Sequence, residues 1–155
     1  MKIKQADNQD IEQLAMLNAE VQAVHVNLFP SLFREASHEA MSKMLRQKLE
    51  DESTIILVAE DETQLAGYMI LRKQILPEFT LINERKCGYI DQVCVSEKYR
   101  KKGIFRSLLY EAKRVVSEWG IDRIELDVWS DNQSARDAFI RSGFRTYNEK
   151  MMLNL

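Results

Sequence analysis

Apolar residues recur along this chain at two spacings, and the alternation between them predicts its elements. Lys2 to Gln5 is short and alternating, a first strand. Ile11, Leu14, Ala15, Val21, Val24 and Leu28 fall at helical intervals behind the capping candidates Asp7, Asn8 and Asp10, which predicts a helix to about Asn27. Pro30 ends it. Leu28 to Phe33 is apolar, aromatic and broken by that proline, as suits a loop folded back onto the protein. Met41, Met44, Leu45 and Leu49 share one face of a second helix over about Ser37 to Leu49.

After the turn Asp51-Glu52-Ser53, Thr54 to Glu60 is the clearest strand, and the polar turn Asp61 to Gln64 returns the chain into Leu65 to Leu71 as an antiparallel hairpin. Pro77 to Arg85 is polar and irregular, a flexible connection expected to border a site. Tyr89 to Val95 has the β-branched and aromatic density of a buried strand. Ile104, Leu108, Leu109, Ala112, Val115, Val116 and Trp119 then repeat at helical spacing, closed by Gly120. Ile121 to Trp129 alternates apolar and polar residues over nine positions, so strand, helix and strand follow one another and imply a right-handed parallel crossover. Ser130-Asp131-Asn132 caps a short helix ended by Gly143, and Phe144 to Tyr147 with Glu149 to Leu155 supply the last strand or strands. The sum is one α/β (α+β) domain over residues 1–155, with a mixed, mostly antiparallel sheet of six to seven strands and about four helices.

A net charge of −2 argues against a surface built for nucleic acid or acidic membranes. Against that background the run Lys98, Arg100, Lys101, Lys102, Arg106 stands out. It lies between a strand and a helix start, where backbone N–H groups and the helix dipole converge on one anion, with phosphate the natural occupant. Cys87 and Cys94 are too close on one strand for a disulfide and read as reduced thiols. His25 and His38 make no metal pattern. No segment has the apolar length of a signal peptide core or a membrane span, so a cytoplasmic protein is expected.

Two motifs carry a family resemblance. Tyr99-Arg100-Lys101-Lys102-Gly103-Ile104-Phe105-Arg106 resembles the central motif of the Gcn5-related N-acetyltransferases (GNAT), Arg or Gln, two residues, Gly, one residue, then Gly or Ala. Arg100 and Gly103 match, and Phe105 departs. Asn132 to Phe144 resembles the family's second motif, Asn, two residues, Ala, three residues, Tyr, three residues, Gly-Phe. Asn132, Ala135, Gly143 and Phe144 match in register, and Phe139 stands where the Tyr would be. The resemblance implies a GNAT-like fold, acetyl-coenzyme A as co-substrate with no metal, and transfer of acetyl to a primary amine by direct attack in a ternary complex. By the same resemblance, the amides of Lys101, Lys102, Gly103, Ile104, Phe105 and Arg106 cradle the pyrophosphate, with the Phe105 side chain turned away. The backbone around Val93, Cys94 and Val95 holds the pantetheine and polarises the thioester, Asn132 bonds the pantetheine arm, and the segment joining the first two helices lines the acceptor pocket.

The reaction needs a proton acceptor for the ammonium of the acceptor. Asp91 is the first candidate, because a carboxylate in an apolar strand needs a partner or a function, and Glu84 on the preceding loop is the second. Glu125 and Asp127 read as a solvated strand face, and His25 as a structural histidine. Phe139 has no proton for the departing thiolate, so solvent or a hydroxyl among Tyr89, Tyr110, Ser142 and Tyr147 must serve. Cys94 reads as a core thiol rather than an acetyl carrier. A non-catalytic acyl-coenzyme A sensor is the alternative, with Phe139 as its support. A nucleotide site lacks the Gly-rich loop followed by Lys-Ser or Lys-Thr. The acceptor is a small-molecule or peptide amine, faintly favoured to be cationic by Glu78, Glu84 and Asp91. A homodimer through the carboxy-terminal strands is a further expectation.

Overall fold

The computed structural model describes all 155 residues. Five strands, β1 (Lys2–Gln5), β2 (Thr54–Asp61), β3 (Gln64–Leu76), β4 (Arg85–Val95) and β5 (Ile124–Leu126), form one sheet in the order β1-β2-β3-β4-β5. The first three neighbouring pairs are antiparallel and β4–β5 is parallel. Four α-helices, α1 (Ile11–Leu28), α2 (His38–Glu50), α3 (Ile104–Glu118) and α4 (Gln133–Arg141), complete the chain.

Both faces of the sheet are covered, which is why β2 reads as an unbroken apolar run rather than an alternating one. Ile56 and Val58 face α1 and α2, among Leu14, Leu17, Leu45, Tyr68 and Ile70. Leu57 and Ala59 face α3, among Met69, Leu71, Ile90, Leu108, Ala112 and Val116. The Ser37 hydroxyl accepts the Ala40 N–H at 3.1 Å and starts α2. Gly120, at φ +71°, ends α3 where a left-handed cap was expected.

Three expectations change. The sheet has five strands, not six to seven. Residues 144–155 form no strand, because β5 offers them only three residues to pair with, and Met151, Met152, Leu153 and Leu155 lie exposed. The surface named for a dimer is therefore not formed from strands. The alternation from Ile121 to Trp129 yields strand only at Ile124–Leu126, since Ile121 is buried under α3 with its N–H on the Val116 carbonyl, and the chain leaves β4 after Leu126. Third, β3 runs five residues past Leu71 and pairs with the start of β4, so the Pro77–Arg85 connection is a hairpin tip. It stands at the opposite end of β4 from the basic turn, roughly 33 Å of strand away.

Gly88 sets how close α3 comes to the sheet. A Cβ there would lie 2.3 Å from Val116 Cγ2 and 3.3 Å from Val116 Cγ1. Replacing Gly88 by Ala overpacks this contact and should destabilise by about 1–3 kcal/mol, a fall in melting temperature of roughly 2–12 °C. Thermal denaturation followed by circular dichroism checks it. Val116→Ala in the same chain should recover part of the loss; no recovery would show that α3 is not seated on Gly88.

Candidate active site

The central feature is a bulge in β4. Its ladder with β3 runs Met69–Val93, Ile70–Gln92 and then Leu71–Ile90, so Asp91 has no partner. On the other edge, pairing with β5 runs Gly88–Ile124, Tyr89–Glu125 and Ile90–Leu126, then stops. Ahead of the bulge, the Gly88 N–H donates toward β5, to the Arg123 carbonyl at 2.9 Å, and alternation sends the Ile90 N–H the same way. Beyond it, the Ser96 N–H donates toward β3, to the Ala66 carbonyl at 3.0 Å, so Gln92 and Cys94 also point their amides to β3. Val93 and Val95 therefore turn theirs the other way, into the opening that β5 has left. The extra residue has reversed the alternation, and two amides aim at one gap, as polarisation of a carbonyl requires.

The same shift places Asp91 and Gln92 side by side on the face of α1 and α2, while Val93 and Val95 pack toward α3. Asn18 Nδ2 donates to Gln92 Oε1 at 2.6 Å and to the Tyr68 hydroxyl at 2.9 Å, and that hydroxyl donates to Gln92 Oε1 at 2.7 Å. This closed triangle ties α1, β3 and β4 together next to the bulge, and burial raises the pKa of Tyr68 far enough to keep it neutral. Sequence reasoning missed all three residues; the available signal was Asn18, a polar residue on the apolar face of α1.

Beyond Val95 the chain passes through Ser96 and the 3-10 turn Glu97–Tyr99 to enter α3 at Gly103. Lys101 and Gly103 have φ of +62° and +80°. A Cβ on Gly103 would meet nothing within 4 Å, so glycine serves the conformation rather than the space. No side chain caps α3, and its first main-chain bond is Ser107 N–H to the Gly103 carbonyl, which leaves the N–H groups of Gly103, Ile104, Phe105 and Arg106 directed out of the helix end. Arg100 Nε donates to the Val95 carbonyl at 3.3 Å, and Glu20 of α1 accepts from Ser96 Oγ at 3.1 Å and the Glu97 N–H at 3.3 Å, so strand end and turn are braced together. Lys98 bonds Gln64, and Lys98 and Lys102 both lie over the Tyr99 ring. None of Lys98, Arg100, Lys101, Lys102 and Arg106 is paired with a carboxylate. Uncapped amides beside unneutralised cations fit a diphosphate.

The two departures from the family motifs meet. Phe105 points away from the turn, its ring edge-on to Phe139 at 5.5 Å, and Phe139 packs on Phe144 at 5.9 Å. Asn132 Oδ1 accepts the Ala135 N–H at 3.2 Å and caps α4.

The candidate acids and bases are separated by the fold. Asp91 is ion-paired to Lys48 of α2 and lies 4.0 Å from Arg72 Nη2, with 29% of its side chain exposed, so it is a partnered surface carboxylate rather than a buried one. Glu84 pairs with Lys86 at 3.2 Å ahead of β4, seven residues or about 23 Å of strand from Asp91. Asp127 Oδ2 accepts the Tyr89 hydroxyl at 2.7 Å, and burial, followed by Asp127, raises the Tyr89 pKa. Glu125 lies against Arg123 and accepts the Tyr147 hydroxyl at 2.8 Å. Tyr110 is exposed on α3, and the Ser142 hydroxyl donates back to Ala138. Cys94 donates its thiol to the Leu17 carbonyl at 3.4 Å in the core, and burial pushes its pKa up to about 12, which makes it a poor nucleophile. No cluster of His, Cys, Asp and Glu has the geometry to hold a metal, and no helix is long and apolar enough to cross a membrane.

The loop after α1 folds back onto the protein, as its composition suggested. Phe33 stacks on His25 at 4.8 Å, and Phe29 and Phe33 meet Trp129 at 5.0 and 5.2 Å. Trp129 follows the departing end of β5, so this aromatic wall stands on the same face as Asp91 and Asp127.

Comparison with known proteins gives the family: residues 21–144 match the acetyltransferase (GNAT) family model, and the chain belongs to that family. It is 25% identical to an uncharacterised N-acetyltransferase, YhfO, of Bacillus subtilis strain 168 over 145 residues, 93% of this chain and 89% of that one. A shorter stretch of 57 residues is 36% identical to GCN5-related N-acetyltransferase 7, chloroplastic, of Arabidopsis thaliana, covering 37% of this chain and only 21% of the plant protein. Among solved structures, a tetramutant of the BH1408 protein of Bacillus halodurans superposes with a TM-score of 0.95 at 28% identity, covering all of both chains.

Burial lowers the His25 pKa. The unfolded chain therefore takes up this proton first, so the stability that neutral His25 contributes is complete above about pH 6.5 and is lost as pH falls through the lower folded value. Urea unfolding between pH 8 and 5 should show a smaller acid-side loss for His25→Leu than for the unsubstituted chain. Equal losses would mean that His25 titrates freely.

Proposed function

We propose that this protein is an acetyl-coenzyme A-dependent N-acetyltransferase that acts on a primary amine by direct attack in a ternary complex. The observation that carries the reading is the bulge at Asp91, which turns the Val93 and Val95 amides into the β4–β5 opening beside the uncapped start of α3. The pyrophosphate is held by the amides of Lys101 to Arg106 and by the Lys101 and Arg106 charges. The pantetheine arm runs into the opening along Val93, Cys94 and Val95, whose backbone lies beside it, and Asn132 contributes from the start of α4. The Val93 or Val95 N–H donates to the thioester carbonyl oxygen and stabilises the charge that develops there.

The acceptor must first lose a proton from its ammonium. Asp91, held by Lys48 and Arg72, takes it directly or through one water. The amine lone pair attacks the carbonyl carbon, a C–N bond forms and the C–S bond breaks. The coenzyme leaves as thiolate and is protonated by solvent, because the position that could carry a hydroxyl is Phe139, packed edge-on against Phe105 and Phe144. Acetyl amide and free thiol are the products, with one proton released overall. Glu84, paired with Lys86 and about 23 Å of strand from Asp91, has no part in this step.

The same Phe139 favours one other reading, a domain that binds acyl-coenzyme A without turning it over. Calorimetric titration with acetyl-coenzyme A and its dephospho form, followed by thiol release with a panel of amines, separates the two. Asp91→Asn should leave the coenzyme affinity unchanged and lower turnover by on the order of 10²–10⁴-fold. Binding without thiol release for any amine would support the sensor; absence of coenzyme binding would remove both readings.

A further inference from the structure

Asp127 is the one carboxylate at the β4–β5 opening that no cation neutralises. Asp91 is taken up by Lys48 and Arg72, and Glu125 by Arg123. Asp127 follows the last paired residue of β5 and holds only the Tyr89 hydroxyl, at 2.7 Å, which fixes one oxygen and leaves the other available. Two residues on is Trp129, 42% exposed, backed by Phe29 at 5.0 Å and Phe33 at 5.2 Å. By chain length the Cα atoms of Asp127 and Trp129 are at most about 7 Å apart. The fourth ring of the wall, His25, is kept neutral by burial, so the wall carries no charge that would repel a cation.

An anchor for a cation and an aromatic platform thus stand two residues apart, just beyond the last paired residue of β5. We propose that the acceptor is an arylalkylamine, a primary amine separated by a short chain from an aromatic ring, with its ammonium on Asp127 and its ring on Trp129. The assignment rests on the acetyl-transfer reading above and specifies its substrate class. Asp127 and Trp129 bind and orient the amine, and the proton passes to Asp91. An alkylamine of similar length keeps the ion pair and loses the ring contact, a difference of order tenfold for an aromatic group laid on an indole.

The test uses the full chain with 2-phenylethylamine, tryptamine and n-butylamine. With acetyl-coenzyme A, kcat/KM from thiol release should favour the two aryl amines by roughly tenfold or more. Trp129→Ala should erase that preference by raising the aryl-amine KM, Trp129→Phe should keep most of it, and Asp127→Asn should raise KM for all three amines alike; the coenzyme affinity should not move in any of them. Equal use of butylamine, or a preference that survives Trp129→Ala, overturns the proposal while leaving acetyl transfer intact. If thiol is released with no amine, the acetyl-transfer reading fails instead. The amine site is then judged by calorimetric titration of 2-phenylethylamine and n-butylamine into the coenzyme A-saturated protein. Selective binding of the aryl amine that is lost in Trp129→Ala upholds the site, and no binding overturns it.

Discussion

The rest of the site depends on the one unpaired residue in β4. A strand in a continuous ladder offers its amides alternately to its two neighbours, and one of those neighbours ends here at Leu126. Had the alternation continued, the amides beyond Ile90 that face the gap would have been those of Gln92 and Cys94, and the Gln92 side chain would have lost its place against Asn18 and Tyr68. Asp91 shifts both at once: it reverses the amides, and it keeps Gln92 on the α1 face, where its oxygen closes a buried triangle of hydrogen bonds. That triangle holds the bulge in place, because returning to regular register would leave polar groups unpaired beneath α1, at about 1–3 kcal/mol for each.

The turn after β4 is tuned to the same purpose by a different means. It needs a left-handed backbone at Lys101 and Gly103, and it keeps the first turn of α3 free of side-chain caps. Many helices satisfy one of those N–H groups with a capping side chain. Here the bracing is placed one step back, in Glu20 and Arg100, so the turn is fixed without its own donors being used. The Phe105–Phe139–Phe144 stack does the corresponding work on the α4 side. A residue too large for the turn is accommodated because its ring is received by another that the motif would have made a tyrosine.

Much of this was legible in the sequence because it depends on local patterns. The β2–β3 hairpin, α3 and the anion turn follow from periodicity, a polar turn and a glycine beside basic residues, and the two motifs give the order of the fold. What failed to show depends on pairing. A bulge leaves no trace in composition, so Val93 and Val95 could be named only by register. The strands expected after Phe144 have suitable residues and lack an adequate neighbour. Asp91 reads as a buried acid because its strand is apolar; its partners Lys48 and Arg72 lie 43 and 19 positions earlier, on elements whose approach only the fold defines. The importance of Asp127 is hidden for the same reason, since alternation alone describes it as one of several polar residues on an open strand face.

The contact between Gly88 and Val116 joins two of these features. The helix with the uncapped first turn is seated, through the Val116 side chain on the bare Gly88, against the strand whose Val93 and Val95 amides face the β4–β5 opening. The span from the uncapped helix start to the β4–β5 opening is thereby a fixed length, set by packing before any ligand arrives. A protein built this way acts as a gauge. On the proposed reading, an acyl carrier is taken when the arm between its diphosphate and its sulfur matches that reach, and a shorter carrier is refused without contact to the part it lacks.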